Sequence, residues 1–160
     1  MIRDVLVYPH AALKQVAREL HDAEEIARVA RDLEDTMDAF GHCVGLAATQ
    51  LGEMARIVVV DVSGHRKAAT SNGRLVLVNP RIVGAEGAEV GREGCLSIPD
   101  LTANVRRATR IEVEAGDRRI VSEGFEARCL QHEIDHLDGL LFLDRVDSLA
   151  RDVFRRKTYR

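Results

Sequence analysis

His132 and His136 stand four residues apart in the segment "LQHEIDHLDG" (130–139), with Glu133 between them. In a helix each residue turns about 100°, so the two histidines lie about 40° apart around the axis and one turn apart along it. Both imidazoles then reach one ion. Glu133 falls between them on the wheel, placed to take a proton from water held there. Leu130, Ile134, Leu137 and Leu141 occupy other faces, which implies a helix buried on more than one side. The plainer alternative is a core histidine, an exposed histidine and a solvated carboxylate, and it requires the spacing to be accidental.

A hydrolytic metal site usually takes three protein ligands and keeps one position for water, so a third ligand is needed. Cys129 has nearly the right direction, about 20° from His136 and about 60° from His132. Its reach is wrong, because an ion between the histidines lies about 7 Å further along the axis and a metal–sulfur bond spans about 2.3 Å. Cys129 is therefore expected to pack beneath the site. Cys95, in "GREGCLSIP" (91–99), sits in a glycine-flanked segment ending at Pro99 that can carry a thiolate to the helix from outside. It is the favoured third ligand. Burial as a small hydrophobe is nevertheless the commonest fate of a free cysteine, and spacing alone leaves the two outcomes balanced.

A third stretch, "CVGLAATQLG" (43–52), combines small residues with one amide, Gln50. Small residues let a ligand approach the backbone, and a neutral amide can donate to a developing oxyanion. Taken alone, the stretch reads more naturally as a tight connection with Gln50 on the surface.

These residues need elements to hold them. With 160 residues, 46% of them hydrophobic, the chain suits one compact domain. Asp22 to Glu25 has the form of a capping box, and Ile26, Val29, Leu33, Met37 and Phe40 follow at helical spacing, with Gly41 as the expected C-cap. Segments 56–61, 74–80, 81–91, 110–115 and 118–124 read as strands, and 61–74 as a hairpin-sized loop. A second helix should begin at Ser122 or Glu123, run to about Asp138 and stop at Gly139. The expected fold is α+β, with short, mainly antiparallel strands packed around the central helix of His132 and His136, preceded by an N-terminal helix.

Composition narrows the partners. A net charge of −3 gives no general attraction to DNA, and no apolar run approaches the roughly 20 residues that cross a bilayer. "MIRDVLVYPHAAL" has too short an apolar run for an export signal. Three irregularly spaced cysteines, Cys43, Cys95 and Cys129, suit reduced thiols in a cytoplasmic setting. Residues 147–160 carry Arg151, Arg155, Arg156, Lys157 and Arg160 against Asp147 and Asp152, so five positive and two negative charges leave a local +3. Such a tail suits contact with ribosomal RNA, and equally a solvated, fraying terminal helix.

Taken together, "CVGLAATQ", "EGCLS" and "QHEIDHLDG" resemble, in order and separation, the three motifs of the peptide deformylases. The resemblance runs from about Val5 to Val146. It implies a single catalytic domain over 1–146 followed by the basic tail. It also implies that Cys95, His132 and His136 bind the metal, that Glu133 is the acid/base, and that the Gln50 amide and the Leu96 backbone N–H hold the oxyanion. The reaction implied is hydrolysis of the formyl group from the N-terminal formyl-methionine of new polypeptides. Fe(II) is the implied ion, with zinc, nickel or cobalt able to take its place. Matching positions put Val44, Phe125, Cys129 and His132 around the methionine side chain, with the backbone at Gly45 pairing to the peptide and the Arg128 stem covering the rim. Two positions depart from the pattern. Cys43 stands where the family has glycine, so it is kept out of the catalytic set and an extended conformation is expected there, and Arg106 replaces the proline expected before Arg107. The rival readings are a metallopeptidase sharing the same histidines and glutamate, and a non-catalytic metal-binding module on the ribosome; Cys95 weighs against the first, and the intact polar set against the second.

Overall fold

The computed structural model describes residues 1–156. Its first long element is helix α1 (Ala23–Ala39), followed by strands β1 (Gly45–Ala47), β2 (Ile57–Val60), β3 (Leu75–Val78), β4 (Arg81–Glu86), β5 (Glu89–Cys95), β6 (Ile98–Arg107), β7 (Arg110–Ala115) and β8 (Arg118–Glu123). Helix α2 (Gly124–Leu137), the single turn α3 (Leu149–Asp152) and strand β9 (Val153–Arg155) complete it. The strands form three antiparallel sheets, ordered β1-β2-β3, β4-β7-β8 and β5-β6-β9. The expected α+β architecture is the observed one.

Strand β2, "IVVV", explains how the layers stack. All four residues are buried, as a continuous apolar run requires when both faces of a strand are covered. Ile57 and Val59 join Val29, Leu33 and Met37 of α1 in one apolar cluster. Val58 and Val60 point the other way and join Ala127, Leu130, Ile134 and Leu137 of α2. Alternation along a single strand thus holds the two helices on opposite faces of one sheet. Ile111, Val113 and Ile120 from β7 and β8 close over α2 from its other side, so the metal-motif helix lies in the middle of the molecule.

Local chemistry sets the ends of these elements. The Asp22 side chain accepts hydrogen bonds from the N–H groups of Glu24 and Glu25 and starts α1. Its far end departs from expectation: Phe40, not Gly41, is the C-cap, with extended dihedrals of φ −104° and ψ 101°, so no left-handed glycine is needed. Helix α2 runs within a residue or two of the expected limits, from N-cap Glu123 to C-cap Asp138, and Gly139 follows at φ +73°.

Segment 81–91, expected as one strand, is two. Gly87 at φ +75° breaks it, with β4 pairing to β7 and β5 pairing to β6 in another sheet. Three further strands were not anticipated. β1 has only three residues, β6 contains Pro99 and Asp100, and β9 lies in the segment read as a basic tail. β9 hydrogen-bonds to Leu101–Ala103 of β6, so the chain after 147 returns to a sheet rather than continuing as a fraying helix. Lys157 and Arg160 of that tail lie outside the described residues.

Candidate active site

Helix α2 presents His132, Glu133 and His136 from its buried side, and the β5–β6 hairpin brings Cys95 to them. One donor atom from each of Cys95, His132 and His136 lies within 4.8 Å of the others, and all three residues are buried. Cys95 Sγ is 3.4 Å from His136 Nε2, and the two imidazole rings meet edge-on with centroids 5.1 Å apart. A cysteine sulfur and two imidazoles at this spacing could hold a metal ion, the three-ligand arrangement that a catalytic site requires. The orphaned atoms agree. Glu133 Oε1 and His136 Nδ1 are the two buried side-chain atoms without a hydrogen-bond partner among the described residues. Buried polar atoms without partners are rare and costly; Glu133 Oε1 belongs to the residue between the two histidines, whereas His136 Nδ1 is the ring nitrogen other than the one 3.4 Å from Cys95 Sγ. The residues therefore fit a single bound cation with an open side toward Glu133.

A buried ionic chain fixes the histidine. His132 Nδ1 lies 2.9 Å from Glu93 Oε1. Arg107 donates to both oxygens of Glu93, from Nε at 2.9 Å and Nη2 at 3.0 Å, and Arg128 Nη1 donates to Oε2 at 2.9 Å. Arg107 Nη1 also donates to Asp135 Oδ2 at 2.6 Å, and Arg145 grips the same carboxylate with two further bonds. Burial raises the Glu93 carboxyl, but His132 and Arg107 beside it more than reverse this and hold it below the usual carboxylate range. A carboxylate on Nδ1 orients the ring and leaves Nε2 as the lone pair for an ion. His132 itself is pushed up: burial disfavours its cation, but Cys95 and Glu93 outweigh that. His136 is pushed down by burial, with the His132 and Arg107 charges adding to it.

Glu133 is held on its other side by backbone. A Cβ at Gly45 would sit 2.7 Å from Glu133 Oε2 and 3.1 Å from its Cγ, so β1 passes this close only because residue 45 has no side chain. Burial raises the Glu133 carboxyl to about 7, against the opposing pull of the His132 charge.

Gln50 is only 2% exposed, in a short 3₁₀ turn after β1 (Ala48–Leu51), not on the surface. Its Oε1 accepts from the Ala47 N–H at 3.0 Å, which turns Nε2 toward Ser97 Oγ at 3.0 Å and Cys95 Sγ at 3.6 Å. A cleft of about 260 Å³ opens over the cluster, and Val44, Gly45, Gln50, Cys95, Leu96, Phe125, Cys129, His132 and Glu133 all line it. His136 is the one expected site residue that does not, being only 1% exposed. Burial pushes the Cys129 and Cys43 thiols up, Cys43 to about 12, so both stay protonated beside the more exposed face of the site.

The Polypeptide deformylase family model matches residues 2–152. The chain belongs to the peptide deformylase family. A peptide deformylase from Alkalilimnicola ehrlichii is 47% identical over 98% of this chain and 88% of its own length. Peptide deformylase 2 of Vibrio cholerae is 38% identical, covering 98% and 93%. Among solved structures, a peptide deformylase from Legionella pneumophila superposes with a TM-score of 0.83 at 38% identity, over 94% of this chain and 89% of that one. A class I type b peptide deformylase from Acinetobacter baumannii, solved with Met-Ala-Ser bound, gives 0.83 at 30% identity, covering 91% and 99%. Members of this family are hydrolases that use a divalent metal to remove the N-formyl group from nascent peptides.

Within this deformylase the two departures from the family motifs are accommodated locally. Asn79 is the only non-glycine residue at positive φ among the described residues, so Cys43 is unstrained, and its thiol donates to the Gly45 carbonyl at 3.2 Å. Arg106 points outward and pairs with Asp147 at 3.5 Å, while Arg107 turns inward to Glu93. Sequence reasoning overlooked Glu93, Ser97, Arg107, Asp135 and His65. Glu93 had a signal: along β5 burial alternates, so the residue two before Cys95 shares its side. His65, from the 61–74 loop, had none; its ring stacks on Phe125 with centroids 4.5 Å apart, which roofs the cleft.

Proposed function

We propose that Cys95, His132 and His136 hold one divalent ion and that Glu133 is the proton carrier in deformylation of formyl-methionyl chains. The observation that carries this is the convergence of a hairpin thiolate and two helical imidazoles on one point, with a buried, partnerless carboxylate oxygen next to it. A bound divalent ion supplies Lewis acidity toward the formyl oxygen and lowers the pKa of water.

The chain's own groups do the rest. Glu133 takes a proton from the attacking water and delivers it to the leaving nitrogen; burial raises its proton affinity toward neutrality, the range in which one carboxyl can do both. The Gln50 amide and the Leu96 backbone N–H donate to the oxygen that becomes negative after attack, and Ala47 fixes the direction of the amide. Val44, Phe125 and Cys129 supply an apolar wall for the methionine side chain. β1 ends its sheet, so its free edge at Gly45 offers backbone groups to an extended peptide.

Thiolate ligation suits Fe(II), the ion proposed here, and equally admits zinc. We place the protein in the cytoplasm on its reduced thiols and its substrate; no helix among the described residues is long and apolar enough to cross a membrane. A ribosome contact through 147–160 rests on charge, with Arg151 and Arg155 exposed. Arg151→Glu with Arg155→Glu tests that contact better than truncation, which would strip β9 from β6. The reading as a whole is tested by formate release from formyl-Met-Ala-Ser. Metal-loaded protein should turn it over, and Glu133→Ala should lose about 10²–10⁴-fold in kcat. An undiminished variant would contradict it.

A further inference from the structure

The charges around the cleft are lopsided. The chain carries a net −3, yet among the described residues five cationic side chains line the cleft, Arg66, Lys67, Arg92, Arg128 and Arg156. Among the described residues only two carboxylates do, Glu93 and Glu133, and both are buried. Glu93 is consumed by Arg107, Arg128 and His132, and Glu133 faces the metal cluster. The cations that remain exposed are Arg66, Lys67 and Arg92. Among the described residues no carboxylate pairs with any of them, in a protein where most other arginines near acids are paired.

Two of the three, Lys67 and Arg92, are held by aromatic rings beside the cleft, and Arg66 adjoins Lys67 in its lining. Lys67 Nζ stands 5.9 Å from the centre of the Phe125 ring that walls the cleft, and the same ring carries His65. Arg92 leans on Phe154 of β9, 3.9 Å from the ring, and donates to Asn104 and Thr102 of β6. Those partners are uncharged, so the arginine is positioned without being neutralised. A second groove continues outward, sharing Lys67, Arg92, Phe125 and Arg128 and adding a single acid, Glu89.

We propose that this rim selects among substrates: the enzyme favours formylated chains with acidic residues shortly after the methionine, and Arg66, Lys67 and Arg92 set that preference. The inference rests on the deformylase reading of the cleft. Acidic side chains leaving the cleft meet two or three unpaired cations at its mouth, basic ones meet like charge, and neither changes the reacting atoms. The discrimination therefore belongs in KM and in kcat/KM at low substrate, and it should be screened by salt.

The test compares formyl-Met-Ala-Glu-Glu, formyl-Met-Ala-Ser-Ser and formyl-Met-Ala-Lys-Lys, all C-terminally amidated, on the metal-loaded enzyme. At low ionic strength kcat/KM should fall in that order, with about a tenfold span from acidic to basic, as a few solvent-exposed ion pairs allow. The span should shrink toward unity at about 0.5 M salt. Lys67→Glu and Arg66→Glu should flatten or invert the order, and Arg92→Gln should flatten it while keeping the side chain polar over Phe154. Turnover of the neutral peptide without the charge order, or an order untouched by the reversals, overturns the inference alone. Failure to deformylate any of the three removes the deformylase reading and this inference with it.

Discussion

Glu93→Gln is the sharpest probe of how the ligand set is held. Each oxygen of Glu93 faces two donors: Oε2 accepts from Arg107 Nε and Arg128 Nη1, and Oε1 accepts from Arg107 Nη2 and faces His132 Nδ1. An amide keeps the shape but has one acceptor oxygen. Whichever way it turns, its NH₂ confronts two N–H groups, and Arg107 keeps only Asp135 as a buried counter-charge. Breaking a buried pair of this kind costs about 3–5 kcal/mol, and the two surviving bonds place this variant near the lower end. For a chain of this length about 3 kcal/mol corresponds to a Tm fall of roughly 6–12 °C. The ring of His132 also loses the acceptor that orients it, so metal affinity should drop by roughly 10–100-fold. Thermal unfolding of the metal-free protein reads the first effect, and competition with a chelator reads the second. A Tm within about 2 °C of wild type together with unchanged metal retention would refute the argument that this network positions the site.

Other substitutions separate the parts of the account. Gly45→Ala places a methyl 2.7 Å from Glu133 Oε2, so kcat should fall by about 10²-fold with Tm and metal content nearly unchanged; full activity would show that Glu133 has room to move. Cys95→Ser replaces a thiolate by a neutral hydroxyl, and metal content measured after chelation should fall by more than the roughly 10–100-fold of an outer-shell change; retained metal would remove Cys95 from the ligand set. Acid should destabilise the fold through Asp32. Burial raises this carboxyl, but the terminal amine and Arg3 outweigh it and hold it below its ordinary value. A depressed folded pKa gives stability that is present above the unfolded value near about 4 and lost as pH falls through the folded one. Tm should therefore decline from pH 5 to 3, and less steeply in Asp32→Asn; parallel profiles would contradict the assignment.

The chemistry was more legible than the scaffold, for a physical reason. Helix α2 announces itself because His132, Glu133 and His136 are local, and a 3.6-residue period fixes their relation before any tertiary contact forms. The proximity of Cys95 to these histidines is less legible, since its approach depends on a hairpin whose partner strand carries no clear pattern in the sequence. β6 was missed because Pro99 and Asp100 disguise ten residues that pair on both edges. β1 was missed because three residues carry no period, and only its pairing with β2 makes it a strand. Glu93 is the instructive omission. It lies two residues before Cys95, yet its value comes from Arg107 and His132, 14 and 39 residues away. Buried polar networks are written in long-range contacts, and a single sequence shows only their members.

The central claim is that one ion sits between a thiolate from the β5–β6 hairpin and two imidazoles of α2, with Glu133 beside its open side. Anomalous diffraction at the metal edge, from crystals of the anaerobically metal-loaded protein, tests it most directly. The account predicts one peak, bonded to Cys95 Sγ and to one nitrogen each of His132 and His136, with no fourth side chain attached. A peak elsewhere, or one whose remaining position is filled by Glu133 or another side chain, would contradict it.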